Sequence, residues 1–590
     1  MGKIQDAITK LNRKVRPSAT LAAQLRVPAR QQHGNAQLPV DPASLKTWLA
    51  TQNFANKGFT GGNSGHNGTD NSAAAAKSLL RALQHNNRTI NPPDQRLLIM
   101  EQFEKPFAVA MQALDTQYLY FDFPLQAHAE KSFQLAVTLC QEMAYGYKAV
   151  LVDSAQSDGI FSREKTGKAD KIQAITTALE HLSQMALRHS QVYRDWPEEL
   201  WLDINTLAGM AIHDGIAESR PGNGKKNNTA CRAPEPTIIN QYARLCALQI
   251  IDRRQYQPDQ LRTLFLQLTK HAGKVLFHGK PQQTEGRQYS VGDDRPPVLN
   301  EFRYQRKYGA GLQYFSLDAL LGKIDSIEEK SAESSIHHQI KRSRCESRAP
   351  RSGMITAESG LKEIHTLIKL SPPTGKTESQ FTNIHQLLQL DSTQGLPAQS
   401  DVLNSINTTD FGSTFVVENE SANGFGLKWA GTASCKLQPG EILAHCYRGK
   451  DNETSWHLSV VRWLNTDADN TLRFGVESIT RHANAVDVVR LIKGEQQIEE
   501  PVEGLLANYQ PIDSKAKMLI LPMQKYRAGE TVGYRDHNGF QLVKLIEKVN
   551  LAGNFQCFAI STVEQQQIHR DTTRKAGVAV AEAVDYLAAV

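Results

Sequence analysis

No CxxC pair occurs anywhere in the 590 residues, and the seven cysteines (Cys140, Cys231, Cys246, Cys345, Cys435, Cys446, Cys557) are scattered and odd in number. Such spacing offers neither a thiolate zinc site nor a disulfide framework, and a reducing cytoplasm is the simplest compartment for it. No run of about 18 apolar residues exists, so no transmembrane helix is expected. The first residues, MGKIQDAITKLNRKVRPSATLAAQLR, are basic but lack the apolar core of a secretory signal. Excess charge of one sign is also scarce: the net charge is +6, too mild over this length to argue for nucleic acid. With 40% hydrophobic and 22% charged residues, the composition is that of a globular protein. The length exceeds what one core supports, which points to two to four domains.

Catalytic signatures are equally sparse. Thr374-Gly375-Lys376-Thr377 has the ending of a phosphate-binding loop, but Leu370 stands where the first glycine is required. His337-His338 has no third ligand at a useful spacing. No Ser/His/Asp or Cys/His arrangement stands out, and Trp196 and Trp201 read as helix packing. Neither a catalytic residue, a metal nor a cofactor is expected.

What the sequence does contain changes texture along its length. Residues 1–38 are polar and expected to be poorly ordered. Residues 39–330 form a helical domain with a flexible Gly/Asn/Ser-rich loop at 57–72. Amphipathic runs at Phe133–Tyr147, Ile172–Tyr193, Leu200–Ile216, Ile238–Ile251 and Gln260–His271 predict helices stacked in antiparallel pairs, as in an α-solenoid, although no fixed repeat period is present. Short strands or an irregular connector follow at 275–302. Leu361–Ile368 has helical spacing, and Ile384–Leu390 is a possible further helix. From Ser413 the period falls to two. Strands are expected at Thr414–Glu418, Gly426–Trp429, Ile442–Cys446, His457–Asn465, Thr471–Ile479 and Asp487–Ile492, spaced as in a small antiparallel barrel. Further strands are expected at Ala516–Leu521, Thr531–Tyr534, Gln541–Val549 and Gln556–Ser561, before an Ala-rich helix or tail. The fold class is thus multidomain α + β: a stacked-helix domain, a barrel at 335–498 with an insertion at about 361–410, and a smaller β-rich domain at 499–590.

Two stretches carry chemistry. One is the arginine strip Lys341-Arg342-Ser343-Arg344-Cys345-Glu346-Ser347-Arg348-Ala349-Pro350-Arg351. Guanidinium groups match phosphate oxygens in a planar fork and stack on purines. The other is the polar turn Asn419-Glu420-Ser421-Ala422-Asn423-Gly424. It offers a carboxamide, a hydroxyl and a backbone without Cβ, suited to the edge of a guanine. Taken singly, the strip reads as a solvated linker and the turn as an ordinary connection between strands. Their order, ahead of barrel-like strands, points to a site for an anionic nucleotide.

On these residues the chain from about Arg342 to Lys493 resembles a PilZ domain, the bacterial receptor module for cyclic di-GMP. The family's RxxxR motif is matched by Arg344 to Arg348, and its [D/N]xSxxG motif by Asn419 to Gly424. Leu458-Ser-Val-Val-Arg-Trp463 and Phe474-Gly-Val-Glu-Ser478 resemble the family's VxRW-like and GVEF-like strands. The resemblance implies a six-stranded barrel with a flexible arginine arm. It implies that Arg344 and Arg348 grip phosphates and guanines, while Asn419, Ser421 and Gly424 line the guanine pocket. Arg351 either replaces Arg348 or joins it. The gap of about seventy residues between Arg348 and Asn419 is longer than the family's usual one.

The leading expectation is therefore a cytoplasmic cyclic di-GMP receptor without catalysis, signalling through a protein partner held by the helical domain. DNA and RNA are not expected partners. A ligand-free interaction scaffold on a degenerate barrel, and nucleic-acid binding through the basic arm, are the alternatives.

Overall fold

The computed structural model describes residues 21–29, 67–157, 167–222, 236–278, 287–292, 294–299, 313–328, 349–370, 413–421, 424–431, 435, 437–448, 454–480, 482–490, 500–508, 517–523, 526–536, 539–549 and 554–562. The chain forms two compact units, one of residues 1–121 and 125–342, the other of 122–124 and 343–590.

The first unit is built from α1 (Asn67–Arg88), α2 (Pro93–Asp115), α3 (Ala127–Ser157), α4 (Lys168–Gln191), α5 (Leu200–His213), α6 (Ile238–Ile250) and α7 (Pro258–His271). Helices α3 and α4 form its centre, with α1 and α2 packed on α3 and with α5, α6 and α7 on α4. The connector expected at 275–302 is a four-stranded antiparallel sheet of order β1-β4-β2-β3 (Leu276–His278, Gln288–Val291, Val298–Leu299, Gln313–Ser316), and α8 (Asp318–Glu328) follows it.

Charges inside this unit are paired. Lys148 and Asp203 are both about 1% exposed and meet at 2.7 Å. Burial lowers the Lys148 ammonium to about 8 against the pull of Asp203. Arg26 donates to the same Asp203 carboxylate at 3.0 Å, and Leu21, Ala22 and Leu25 are buried. The stretch 21–29, within the segment expected to be loose, is thus anchored by apolar burial and a charge contact. Likewise α1 begins at Asn67, inside the stretch expected to be a flexible loop.

The second unit holds two closed barrels of six strands each. The first is closed by β5 (Ala349–Ser359), β6 (Ser413–Ser421), β7 (Gly424–Trp429), β8 (Ile442–Arg448), β9 (Thr454–Thr466) and β10 (Leu472–Thr480), in the order β10-β7-β6-β5-β8-β9. The second comprises β11 (Ala483–Arg490), β12 (Val502–Asn508), β13 (Lys517–Pro522), β14 (Thr531–Asp536), β15 (Gly539–Val549) and β16 (Phe555–Thr562). Helix α9 (Leu361–Leu370) lies between β5 and β6 in sequence.

One strand is reassigned. The segment at Asp487–Ile492, expected as the sixth strand of the first barrel, belongs to β11, which pairs with β12 and β14. The first barrel therefore ends at Thr480, not near residue 498, and its sixth strand is β5. Alternation marks a strand but not its partners, and β5 reads APRSGMITAES, with a proline, a glycine and no clean period of two. The expected helix at 384–390 and the C-terminal helix or tail lie outside the described residues.

Candidate functional site

Strand pairing resolves the long gap between the two motifs. Strand β5 runs antiparallel to β6, with Ala349 opposite Glu420 and Pro350 opposite Asn419. Paired α-carbons across an antiparallel ladder lie about 4.5–5.5 Å apart. The end of the arginine strip is thus laid against the start of the polar turn, whatever the length of chain between them. Arg344 and Arg348 lie outside the described residues. Arg351 sits within β5, where the register slips so that Arg351 and Ser352 together oppose Glu418.

A second irregularity aims the turn. Pairing of β6 with β7 jumps from Val417↔Leu427 to Asn419↔Gly426, which leaves Glu418 as the extra residue. Phe415, Val417 and Glu420 are buried, whereas Asn419 and Ser421 are partly exposed. Strict alternation from Val417 would have turned Asn419 inward. The bulge instead puts Asn419 and Ser421 together on the outer surface and buries the Glu420 carboxyl group.

Glycines floor this surface. Asn419 and Ser421 pair with Gly426 and Gly424, which pair in turn with Gly475 and Glu477 of β10. A methyl group at Gly424 would overlap the Val476 carbonyl oxygen, so only glycine lets β7 and β10 approach this closely. The Asn419 carboxamide lies directly over Gly426, and the Trp463 indole covers Gly475 in the same way. Ser421 Oγ donates to the Gly424 carbonyl at 3.3 Å, which ties the two ends of the turn together.

The far wall is charged. Arg462 Nε donates to Glu477 Oε2 at 2.6 Å, and Glu477 is 49% exposed. Arg473 bridges Glu418 at 3.0 Å and also pairs with Asp467. The result is a shallow outer trough with amide and hydroxyl groups on one side and an indole and a guanidinium on the other, over buried glycines that let the Asn419 and Trp463 side chains lie flat against the strands. Such a trough offers a planar heterocycle polar groups for its edge and an indole for its face. Phosphates brought beside Glu477 would need further cations, which the adjoining arginine strip can supply.

Inside the same end of the barrel, His445 of β8 touches the rings of Phe425 (5.7 Å) and His457 (5.2 Å). Burial pushes His445 down to about 4, and its Nδ1 has no hydrogen-bond partner. The imidazole is held neutral at ordinary pH beneath the trough.

Sequence reading grouped Asn419, Ser421 and Gly424, and the structure brings these three together. It missed Gly426, Gly475, Trp463, Arg462 and Glu477 as parts of the same surface. Their signal was present: isolated glycines inside strands mark close backbone approach. Among the described residues, no group of three His, Cys, Asp or Glu side chains could hold a metal ion, and no helix is long and apolar enough to cross a membrane.

Comparison with known proteins adds two family matches. Residues 68–282 match the model of the N-terminal domain of the cyclic-di-GMP receptor FimW, and residues 374–485 that of its middle PilZ domain. The second match includes Asn419, Ser421 and Gly424 but begins after the arginine strip and β5. The cyclic-di-GMP receptor FimW of Pseudomonas aeruginosa is 21% identical to this chain over 622 aligned positions, covering 94% of this chain and 96% of the relative.

Proposed function

We propose that the protein, whose residues 374–485 match a middle PilZ domain, is a cyclic di-GMP receptor. The ligand sits on the outer trough of the first barrel. Asn419 and Ser421 hydrogen-bond a guanine edge, Gly424 lines the pocket by letting β7 and β10 close up beneath it, and Arg344 and Arg348 of the strip close over the phosphates and the purine face. The observation that carries this reading is the pairing of Pro350 with Asn419. Arg348 is the residue before Ala349, and five residues of chain, at most roughly 17 Å, separate Arg344 from it. Both guanidinium groups are tethered within reach of the turn.

The relative's name and the shared domain order support the same ligand. We assign the chain no catalytic step. The helical domain would present the output surface to a protein partner, and the receptor would work in the cytoplasm. Closure of Arg344 and Arg348 over the ligand would supply the bound state that such signalling requires.

Competition binding separates this from the other readings. Labelled cyclic di-GMP should be displaced by unlabelled cyclic di-GMP and not by GTP or a single-stranded oligonucleotide. Displacement by the oligonucleotide, falling steeply with salt, would instead support nucleic-acid binding through the arm. Absence of any bound label would leave the ligand-free scaffold.

A further inference from the structure

The second barrel repeats the first strand for strand. In chain order, the strands of the first pair one with two, two with three, three with six, six with five, five with four, and four with one. Strands β11 to β16 close in that same cycle. A six-stranded barrel can be threaded in many ways, so identity of the whole cycle marks the C-terminal barrel as a topological copy.

Equivalent faces can therefore be compared. In the first barrel the trough is the outer face of strands two, three and six, with the rows Asn419/Gly426/Gly475 and Ser421/Gly424/Glu477. The corresponding outer rows of the second are Leu505/Ile520/Cys557 and Ala507/Met518/Ala559. That they point outward follows from their neighbours: Leu506, Leu519 and Phe558 belong to the interior core with Val488, Val532 and Val543.

The polar, glycine-floored trough is replaced by an apolar surface, and the surface is occupied. Leu505, Ala507, Met518, Ile520 and Cys557 join one buried cluster with Ile442, Ala444, Trp456, Leu458 and Val460 of β8 and β9, and with Ile364, Leu367 and Ile368 of α9. Asp487 of β11 fastens the helix, 2.9 Å from Lys369 Nζ and 3.2 Å from His365 Nε2. The sequence agrees: the segment joining β12 to β13, YQPIDSKA, has no [D/N]xSxxG, and Thr480-Arg481-His482 ahead of β11 leaves no room for an arginine arm.

We infer that the C-terminal barrel is a ligandless copy of the first, whose counterpart of the ligand face has become the surface that grips the first barrel through β8, β9 and α9. Among the described residues the chain then has one nucleotide-binding face, on β6, β7, β10 and the Arg462–Trp463 end of β9, apart from the Trp456–Val460 stretch of β9 and the β8 residues that the second barrel holds. The docking half of this inference stands without any ligand, and only the naming of the ligand face rests on the proposed function.

Hydrogen exchange on the full chain tests it. Ile520→Lys should raise amide exchange in α9, β8 and β9 at least tenfold and leave α3 and α4 unchanged. Ile520→Ala, which only opens a cavity, is the milder form if lysine unfolds the barrel, and should raise exchange in the same strands. Unchanged exchange in β8 and β9 in both variants would overturn the docking role. In parallel, Asn419→Ala/Ser421→Ala should remove all saturable cyclic di-GMP binding, and a second saturable site surviving in that variant would overturn the claim that the copy is ligandless.

Discussion

Pro350 lies directly opposite Asn419 across the β5–β6 ladder, although the chain between them runs through α9 and the rest of the insertion. One ladder position thus joins the arginine strip to the polar turn. It converts a separation in sequence into a neighbourhood in space, and it makes the joint site depend on β5 being a barrel strand.

Arg348→Ala and Ser421→Ala should each weaken cyclic di-GMP binding at least tenfold, a loss of about 1.4 kcal/mol. Equilibrium dialysis on the full chain measures both. Arg351→Ala should have the smaller effect of the two strip variants, since Arg351 belongs to the β5 bulge.

Gly424→Ala should destabilise the first barrel and abolish binding together. A Cβ there meets the Val476 carbonyl, which is backbone and cannot swing aside. The overpacking cost is about 1–3 kcal/mol. Thermal denaturation would show a lowered transition, whereas Ser421→Ala should lose binding with little change in stability.

Acid should loosen the first barrel before it affects the Asp487 clasp. His445 is pushed down to about 4 by burial, while an unfolded histidine titrates near 6.5. Between those values the unfolded chain holds a proton that the folded barrel refuses. Stability is therefore complete above about pH 6.5 and falls as pH drops toward 4, by about 3 kcal/mol in all. Asp487 is held down to about 2, first by its hydrogen bond to His365, so its contribution is present above about pH 4 and lost only toward 2. His189 in the helical unit is lowered in the same direction as His445, so the readout must be local. Exchange at β8 amides across this range should become flat in His445→Leu.

Asp203→Ala should cost about 3–5 kcal/mol in the helical unit, because it leaves the buried Lys148 ammonium without its partner. It also removes the Asp203 contacts of Arg26 and leaves only those to Glu199, so proteolysis near residues 21–29 should quicken.

Much of this was legible because local rules were obeyed. The helical periods placed α3 to α7 where the structure has them, and alternation located β6 to β10 and, in the second barrel, β11 and β13 to β16, but it missed β12 (Val502–Asn508). Closure was not legible. Strand β5 carries Pro350, a bulge and Gly353 in place of a pattern, and β11 alternates as well as any strand of the first barrel, so only the ladders decide which barrel each one joins. The site was half legible. Asn419, Ser421 and Gly424 announced themselves as a motif, but Trp463 and Gly475 act as a cross-strand pair, and such pairs are set by register.

The most direct test of the central claim is a calorimetric titration of the full chain with cyclic di-GMP. Saturable binding at micromolar ligand or tighter is expected, abolished in Arg344→Ala/Arg348→Ala and in Asn419→Ala/Ser421→Ala. No binding up to roughly 100 µM, or binding untouched by either pair of substitutions, would contradict it.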